Sequence, residues 1–212
     1  MRTQKQINEI ARLLLAEYPA ECALNWTEGK EYELLFSVRL SAQCTDERVN
    51  MITPALFARF PTLEAFAGAD VEEVEKYVHS CGFYHAKARD IVACAQILLE
   101  KYNGEVPRTM EELTALPGVG RKTANLILGD IFKIPGSTVV DTHCIRLTNR
   151  LGIVNNLKDP VKIEAELRKV LPPERSNDIC HCIVLHGRAV CTARKPDCAK
   201  CCVKHLCESY SG

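Results

Sequence analysis

The chain has 212 residues, of which 47% are hydrophobic and 25% charged, and its 27 basic and 27 acidic residues give a formal net charge of zero. These proportions exclude a disordered or collagen-like chain and leave room for one large domain or two small ones around a substantial core. No apolar run reaches the ~18 residues that a membrane helix needs, and Met1-Arg2-Thr3-Gln4-Lys5-Gln6 leads into an amphipathic helix and not a signal peptide. A soluble, intracellular protein with no membrane role is expected.

In chain order nearly every segment predicts a helix. Residues 4–18 place Ile7, Ile10, Ala11 and Leu14 on one face, and Tyr18-Pro19 stops the run. A polar stretch to Lys30 precedes an apolar helix from Tyr32 to Leu40. Thr45 or Asp46 caps a third helix, which Pro54 is expected to interrupt or divide. Asp70 with Glu73 resembles a capping box for a helix ending at Gly82. Residues 86–101 form the clearest helix, with Ile91, Ala95 and Leu98 on one face and Asn103-Gly104 after it.

Thr109 and Glu112 form a second capping box and open a short helix ending at Leu116. The loop Pro117-Gly118-Val119-Gly120 follows, then a helix from about Arg121 to Phe132, which together make a helix–hairpin–helix. Asp141 precedes a helix to Leu151 with Gly152 as its stop. Asp159-Pro160 starts another, and Ser176 or Asn177 starts the last long one, ending near Gly187. Thr138-Val139-Val140 is the single strand candidate, too short for a sheet. The fold class is all-α.

Charge is unevenly distributed. Residues 1–117 carry 12 Lys and Arg against 18 Asp and Glu, whereas residues 118–212 carry 15 against 9. The basic half starts at the glycine loop, which fits either a phosphate-facing surface or a patchy surface with no partner. Four of the 12 cysteines, Cys191, Cys198, Cys201 and Cys207, fall within 17 residues in the spacing C-x6-C-x2-C-x5-C. Thiolates that close repel unless a metal neutralises them, so a structural metal site is expected. The four sulfurs alone leave zinc and an iron–sulfur cluster both open. The remaining cysteines read mostly as small buried hydrophobes, with Cys202 expected to point away from the cluster. His181 and His186 read as buried, hydrogen-bonded histidines on an apolar helix.

The glycine loop lets backbone N–H groups approach an anion at the positive end of the following helix. Lys122 stands at that end. A lysine nucleophile needs a free amine, which a helix N-terminus favours; a phosphate-binding lysine fits the loop equally well. Asp141 is an ordinary N-cap by its position. With His143 and Arg146 on the following turn it could also face a cleft. A carboxylate paired with an amine suits C–N glycosidic chemistry, in which the carboxylate stabilises oxocarbenium-like charge and the amine attacks the anomeric carbon.

The sequence closely resembles the endonuclease III family of DNA base-excision glycosylases. The match runs through Leu40-Ser41-Ala42-Gln43-Cys44-Thr45-Asp46, Gly82-Phe83-Tyr84 with Lys87-Ala88, and Asn103-Gly104-Glu105-Val106-Pro107. It continues through Leu116 to Asn125, Val140-Asp141-Thr142-His143, Leu185-His186-Gly187-Arg188 and the four cysteines. The resemblance implies two helical domains: a central one over residues 23–132, and a terminal one of residues 1–22 plus 133–212 that carries a 4Fe–4S cluster on Cys191, Cys198, Cys201 and Cys207. It implies an active site in the cleft between them. Lys122 matches the Schiff-base nucleophile and Asp141 the catalytic carboxylate.

Gln43 matches a residue that fills the gap left by a flipped nucleotide, and Phe83 stands where a wedge is commonly leucine. Gly118, Gly120, Arg121 and His143 complete the implied DNA contacts. The implied protein is a bifunctional DNA glycosylase and AP lyase of base excision repair. It removes oxidised pyrimidines from double-stranded DNA and cuts 3′ of abasic sites by β-elimination. A monomer in the cytoplasm, associated with the nucleoid, is expected. The rivals are an adenine-mismatch glycosylase, against which Lys122 argues, and a non-catalytic DNA-binding protein that needs only the phosphate grip.

Overall fold

The computed structural model describes residues 2–210. Among them run eleven α-helices and no strand: α1 (Gln4–Glu17), α2 (Glu31–Ser41), α3 (Asp46–Arg59), α4 (Leu63–Ala67), α5 (Val71–Val78), α6 (Tyr84–Tyr102), α7 (Met110–Thr114), α8 (Arg121–Asp130), α9 (Thr142–Leu151), α10 (Pro160–Val170) and α11 (Ser176–Ala189). The all-α expectation holds; Thr138 to Val140 is buried coil with no partner strand among the described residues. No helix among them is long and apolar enough to cross a membrane. The chain divides into two compact units, Cys22–Ile131 and Met1–Glu21 with Phe132–Gly212.

The Cys22–Ile131 unit is built on α2. Leu34, Leu35, Phe36, Ser37, Val38 and Leu40 are all buried, so this helix is apolar on nearly every side and lies inside its unit. It packs on α3, α6 and α8, while α6 also carries α4 and α5. Phe36 and Phe60 close on Phe66 with ring centroids 5.0 Å and 5.1 Å apart, which fixes α4 against α2.

Two expectations fail in this unit. Pro54 does not divide α3, which runs unbroken from Asp46 to Arg59. A proline removes one N–H bond and crowds the preceding turn, but Val49, Thr53 and Leu56 on either side are buried and hold the helix together. Asp70 does cap α5, through the Glu72 N–H at 3.0 Å, without the reciprocal bond from Glu73. The Glu73 carboxylate is taken instead by Arg59, at 2.6 Å and 2.7 Å. The helix ends at Val78, short of Gly82, and frees a turn that ends at Phe83.

The other unit packs α1 and α9 on α11. Its core joins Ile7, Ile10 and Leu14 to Leu147, Leu151, Ile179, Ile183 and Val203. A capping box of Thr3 and Gln6 starts α1, and Asp159 with Pro160 starts α10. Gly152 ends α9 at φ +77° in the left-handed conformation that L side chains avoid.

Candidate active site

The hairpin between α7 and α8 is shaped by two glycines that do different work. Gly118 sits at φ +71°, and a Cβ built there would run into Arg39 and the Asp90 carboxylate, so only glycine fits. Gly120 is the N-cap of α8 in extended backbone, with open space where a side chain would stand. Its missing side chain keeps the approach to the helix end clear. Val119 donates its N–H to Leu116 at 3.2 Å, whereas the N–H groups of Gly118 and Gly120 have no partner among the described residues. Two amides left open at a helix start can accept an anion. Lys122, the second residue of α8, is exposed and has no partner among the described residues; Arg121 is exposed beside it.

Gln43 and Phe83 lie in the same unit and share an unusual backbone. Both are non-glycine residues in the left-handed region, at φ +54° each. Phe83 is 69% exposed and Gln43 is also exposed. A large aromatic presented outward on a constrained turn is costly for a free surface and suits contact with a partner. The turns leading to both are tied to one buried cation. Lys87 on α6, only 1% exposed, donates to the carbonyls of Leu40 at 2.9 Å and Cys81 at 2.8 Å. Burial pulls its pKa below the usual lysine value. The sequence match passes through Lys87, but nothing in helical periodicity marks a lysine as the anchor of two turns.

Asp141 is the N-cap of α9 and accepts the Cys144 N–H on Oδ1 at 2.7 Å. The cap occupies one carboxylate oxygen; the other has no partner among the described residues. Asp141 is half-buried. Arg146 turns its guanidinium onto the end of α11. It donates to the carbonyls of Cys191 and Gly187, and its Nη2 lies 3.0 Å from His143 Nδ1. Arginine has only donors, so His143 Nδ1 accepts and its proton sits on Nε2. Arg146 therefore fastens α9 to the end of α11 and orients His143.

Cys191, Cys198, Cys201 and Cys207 line one cavity of about 250 Å³. Among the described residues walling it, Cys202 is not one. No three His, Cys, Asp or Glu side chains among the described residues converge tightly enough to share a single ion. Four thiols spread around a void suit a polynuclear cluster better than one tetrahedral ion. Arg150 donates to Cys191 Sγ at 3.3 Å and to the carbonyls of Thr192 and Ala193 at 2.8 Å, and Cys207 Sγ donates to the Arg150 carbonyl at 3.3 Å. Burial pushes the Cys201 thiol up to about 11, a proton that a thiolate-binding metal must displace. His186 is buried as expected. It stands between Tyr18 Oη, 2.9 Å from Nδ1, and Cys201 Sγ, 3.4 Å from Nε2, and burial lowers its pKa.

A profile of the HhH-GPD superfamily of base excision DNA repair proteins matches residues 36–173. The Endonuclease III of Synechocystis sp. is 47% identical over 212 residues, which span 99% of this chain and 95% of that protein. The Endonuclease III of Escherichia coli strain K12 is 41% identical over 208 residues, spanning 98% and 97%. The solved structure of a trapped Endonuclease III–DNA covalent intermediate superposes with a TM-score of 0.90 at 39% identity, covering 99% of this chain and 97% of that one. With hairpin, sequence and backbone in agreement over almost its whole length, the chain belongs to the HhH-GPD superfamily of base excision DNA repair proteins, in the endonuclease III family.

Proposed function

We propose that this DNA glycosylase and AP lyase of base excision repair uses Lys122 as its nucleophile and Asp141 as its catalytic carboxylate. Its proposed substrates are oxidised pyrimidines and abasic sites in double-stranded DNA. The observation that carries the reading is the hairpin. Two glycine amides without a partner among the described residues lead into a helix whose second residue is an exposed lysine, likewise without one among them. The amides of Gly118 and Gly120 hold a DNA phosphate, which fixes position without reading sequence. Arg121 and His143 add contacts to the strand. The damaged nucleotide leaves the stack, at least cost where damage has already weakened it. Gln43 fills the gap and Phe83 wedges the neighbouring step.

The Lys122 amine then bonds to C1′ as the bond from C1′ to the base breaks, and the base departs with a proton. Asp141 stabilises the positive charge that develops on the sugar and relays the proton. Ring opening gives a Schiff base. Loss of a proton from C2′ and cleavage of the C3′–O bond cut the strand 3′ to the lesion, and water releases the lysine. Cys191, Cys198, Cys201 and Cys207 would hold a 4Fe–4S cluster. When bound, the cluster supplies a rigid cross-link for residues 191–207. That segment carries Arg194, Lys195, Lys200 and Lys204, a cationic surface for the DNA backbone.

Borohydride reduction on a duplex with an abasic site tests the nucleophile. The wild-type protein is expected to become covalently attached to DNA, and Lys122→Ala to lose the adduct. Trapping of Lys122→Ala at wild-type yield would overturn the assignment.

A further inference from the structure

We propose that His186, positioned by Tyr18, is a hydrogen-bond donor to Cys201 that raises the reduction potential of the cluster. The inference rests on the reading of Cys191, Cys198, Cys201 and Cys207 as cluster ligands and adds to it a pair of residues that the cysteine spacing does not contain. His186 lies on α11 and Tyr18 directly after α1, both in the unit formed by the two ends of the chain. The imidazole is 1% exposed to solvent, and it walls the same cavity as the four cysteines. Its Nδ1 lies 2.9 Å from Tyr18 Oη and its Nε2 lies 3.4 Å from Cys201 Sγ. The two rings meet edge to face, with centroids 5.6 Å apart.

The direction of this chain of bonds follows from what each atom can do. A cysteine sulfur bound to a metal is a thiolate, which only accepts. His186 Nε2 must then carry the proton, and a neutral imidazole protonated there accepts at Nδ1. Tyr18, whose phenol class keeps its proton up to pH ~10, supplies the donor that Nδ1 requires. The bonds therefore run from the Tyr18 O–H through the ring to Cys201, and each polarises the next. Arg150 marks the contrast. It reaches Cys191 Sγ at 3.3 Å but also holds the carbonyls of Thr192 and Ala193, so it serves the backbone as much as the sulfur. The side chain of His186 gives its single donor to sulfur alone. Reduction adds one electron to the cluster and its sulfurs, so a donor aimed at sulfur stabilises the reduced state more than the oxidised one.

Protein-film voltammetry of the purified holoprotein reads the potential, and 15N-histidine spectra read the position of the ring proton. H186L removes the donor with a side chain of similar size. H186Q keeps an amide N–H close to where Nε2 stands, and Y18F keeps the ring but removes its anchor. H186L is expected to shift the oxidised-to-reduced equilibrium by about tenfold toward the oxidised state, which is ~59 mV lower for a one-electron couple. H186Q should restore most of that shift, and Y18F should move the potential in the same direction by less. The wild-type ring proton is expected on Nε2. A wild-type potential in H186L with its visible absorption intact would overturn the proposal, as would a shift in H186Q equal to that in H186L, or a proton on Nδ1. Should H186L fail to fold or to keep its cluster, Y18F decides, and a wild-type potential there would overturn the proposal. A wild-type protein without 4Fe–4S absorption would overturn the cluster reading itself, and the proposal with it.

Discussion

Asp141 shows how one residue can satisfy an ordinary structural rule and still be open for chemistry. Its Oδ1 caps α9 through the Cys144 N–H, and its second oxygen is unclaimed by the protein. Asparagine caps helices about as well as aspartate, so Asp141→Asn keeps the cap and removes only the charge. The expected result is a stability within about 0.5 kcal/mol of wild type, with DNA binding retained and most base excision lost. Excision at the normal rate by that variant would remove Asp141 from the reaction. Alanine at the same place would cost about 1 kcal/mol through the lost cap, which is why it is the poorer probe. The four cysteines announce a metal site by residue type and spacing, whereas the roles proposed for Lys122 and Asp141 come from the family resemblance, because a phosphate-binding lysine and an ordinary N-cap fit the same positions. The Arg39–Asp90 pair beneath Gly118 is not legible, because it joins positions 51 apart and fills the space that the absent side chain of Gly118 leaves in the folded hairpin.

At the scale of elements, the sequence exposes helices through their periodic faces and caps. It conceals what holds their ends. α4 has five residues, too few to show a period, and is fixed by Phe66 against Phe36 and Phe60. The unbroken α3, with Thr53 buried, and the turn after α5, whose Cys81 carbonyl is taken by Lys87 at 2.8 Å, rest on tertiary partners that local propensity does not contain. Lys87 is the strongest case. A lysine within a helix reads as a surface residue, yet this one satisfies the carbonyls of Leu40 and Cys81 from inside its unit.

Lys87→Met would leave both acceptors without a partner, at about 1–3 kcal/mol each, offset in part by relief from burying a charge. A net loss near 2 kcal/mol is expected in urea unfolding, with faster amide exchange at Gln43 and Phe83; unchanged stability would refute the anchoring role. Burial places the folded Lys87 value below the unfolded one, ~10.4. Between the two the unfolded chain holds more protons, so stability rises with pH across that window. The advantage of wild type over Lys87→Met should therefore grow as pH rises toward ~10.

For the whole molecule, the two units differ in what completes them. The Cys22–Ile131 unit closes on an aromatic core around Phe66. The unit formed by both termini buries Val203 in its core, and around that residue the chain from Cys191 to Cys207 encloses the cysteine cavity. Arg146, Arg150 and His186 tie this segment to α9 and α11, the Asp197 N–H reaches the Val190 carbonyl at 2.9 Å, and its turns are closed by short-range bonds such as the Cys201 N–H to the Cys198 carbonyl at 3.3 Å. Where a ligand fills the space that a core would otherwise fill, its binding energy becomes folding energy for the surrounding segment. Cys198→Ser is expected to abolish the visible absorption of the proposed 4Fe–4S cluster. Hydrogen exchange should then rise in residues 191–207 and in the last turns of α11, while α2 and α6 keep their protection. Equal loss of protection in both units would mean that the cluster stabilises the chain globally. Unchanged exchange in residues 191–207 would mean that the polypeptide alone holds the segment, and the cluster's place would then have to be sought in chemistry and not in architecture.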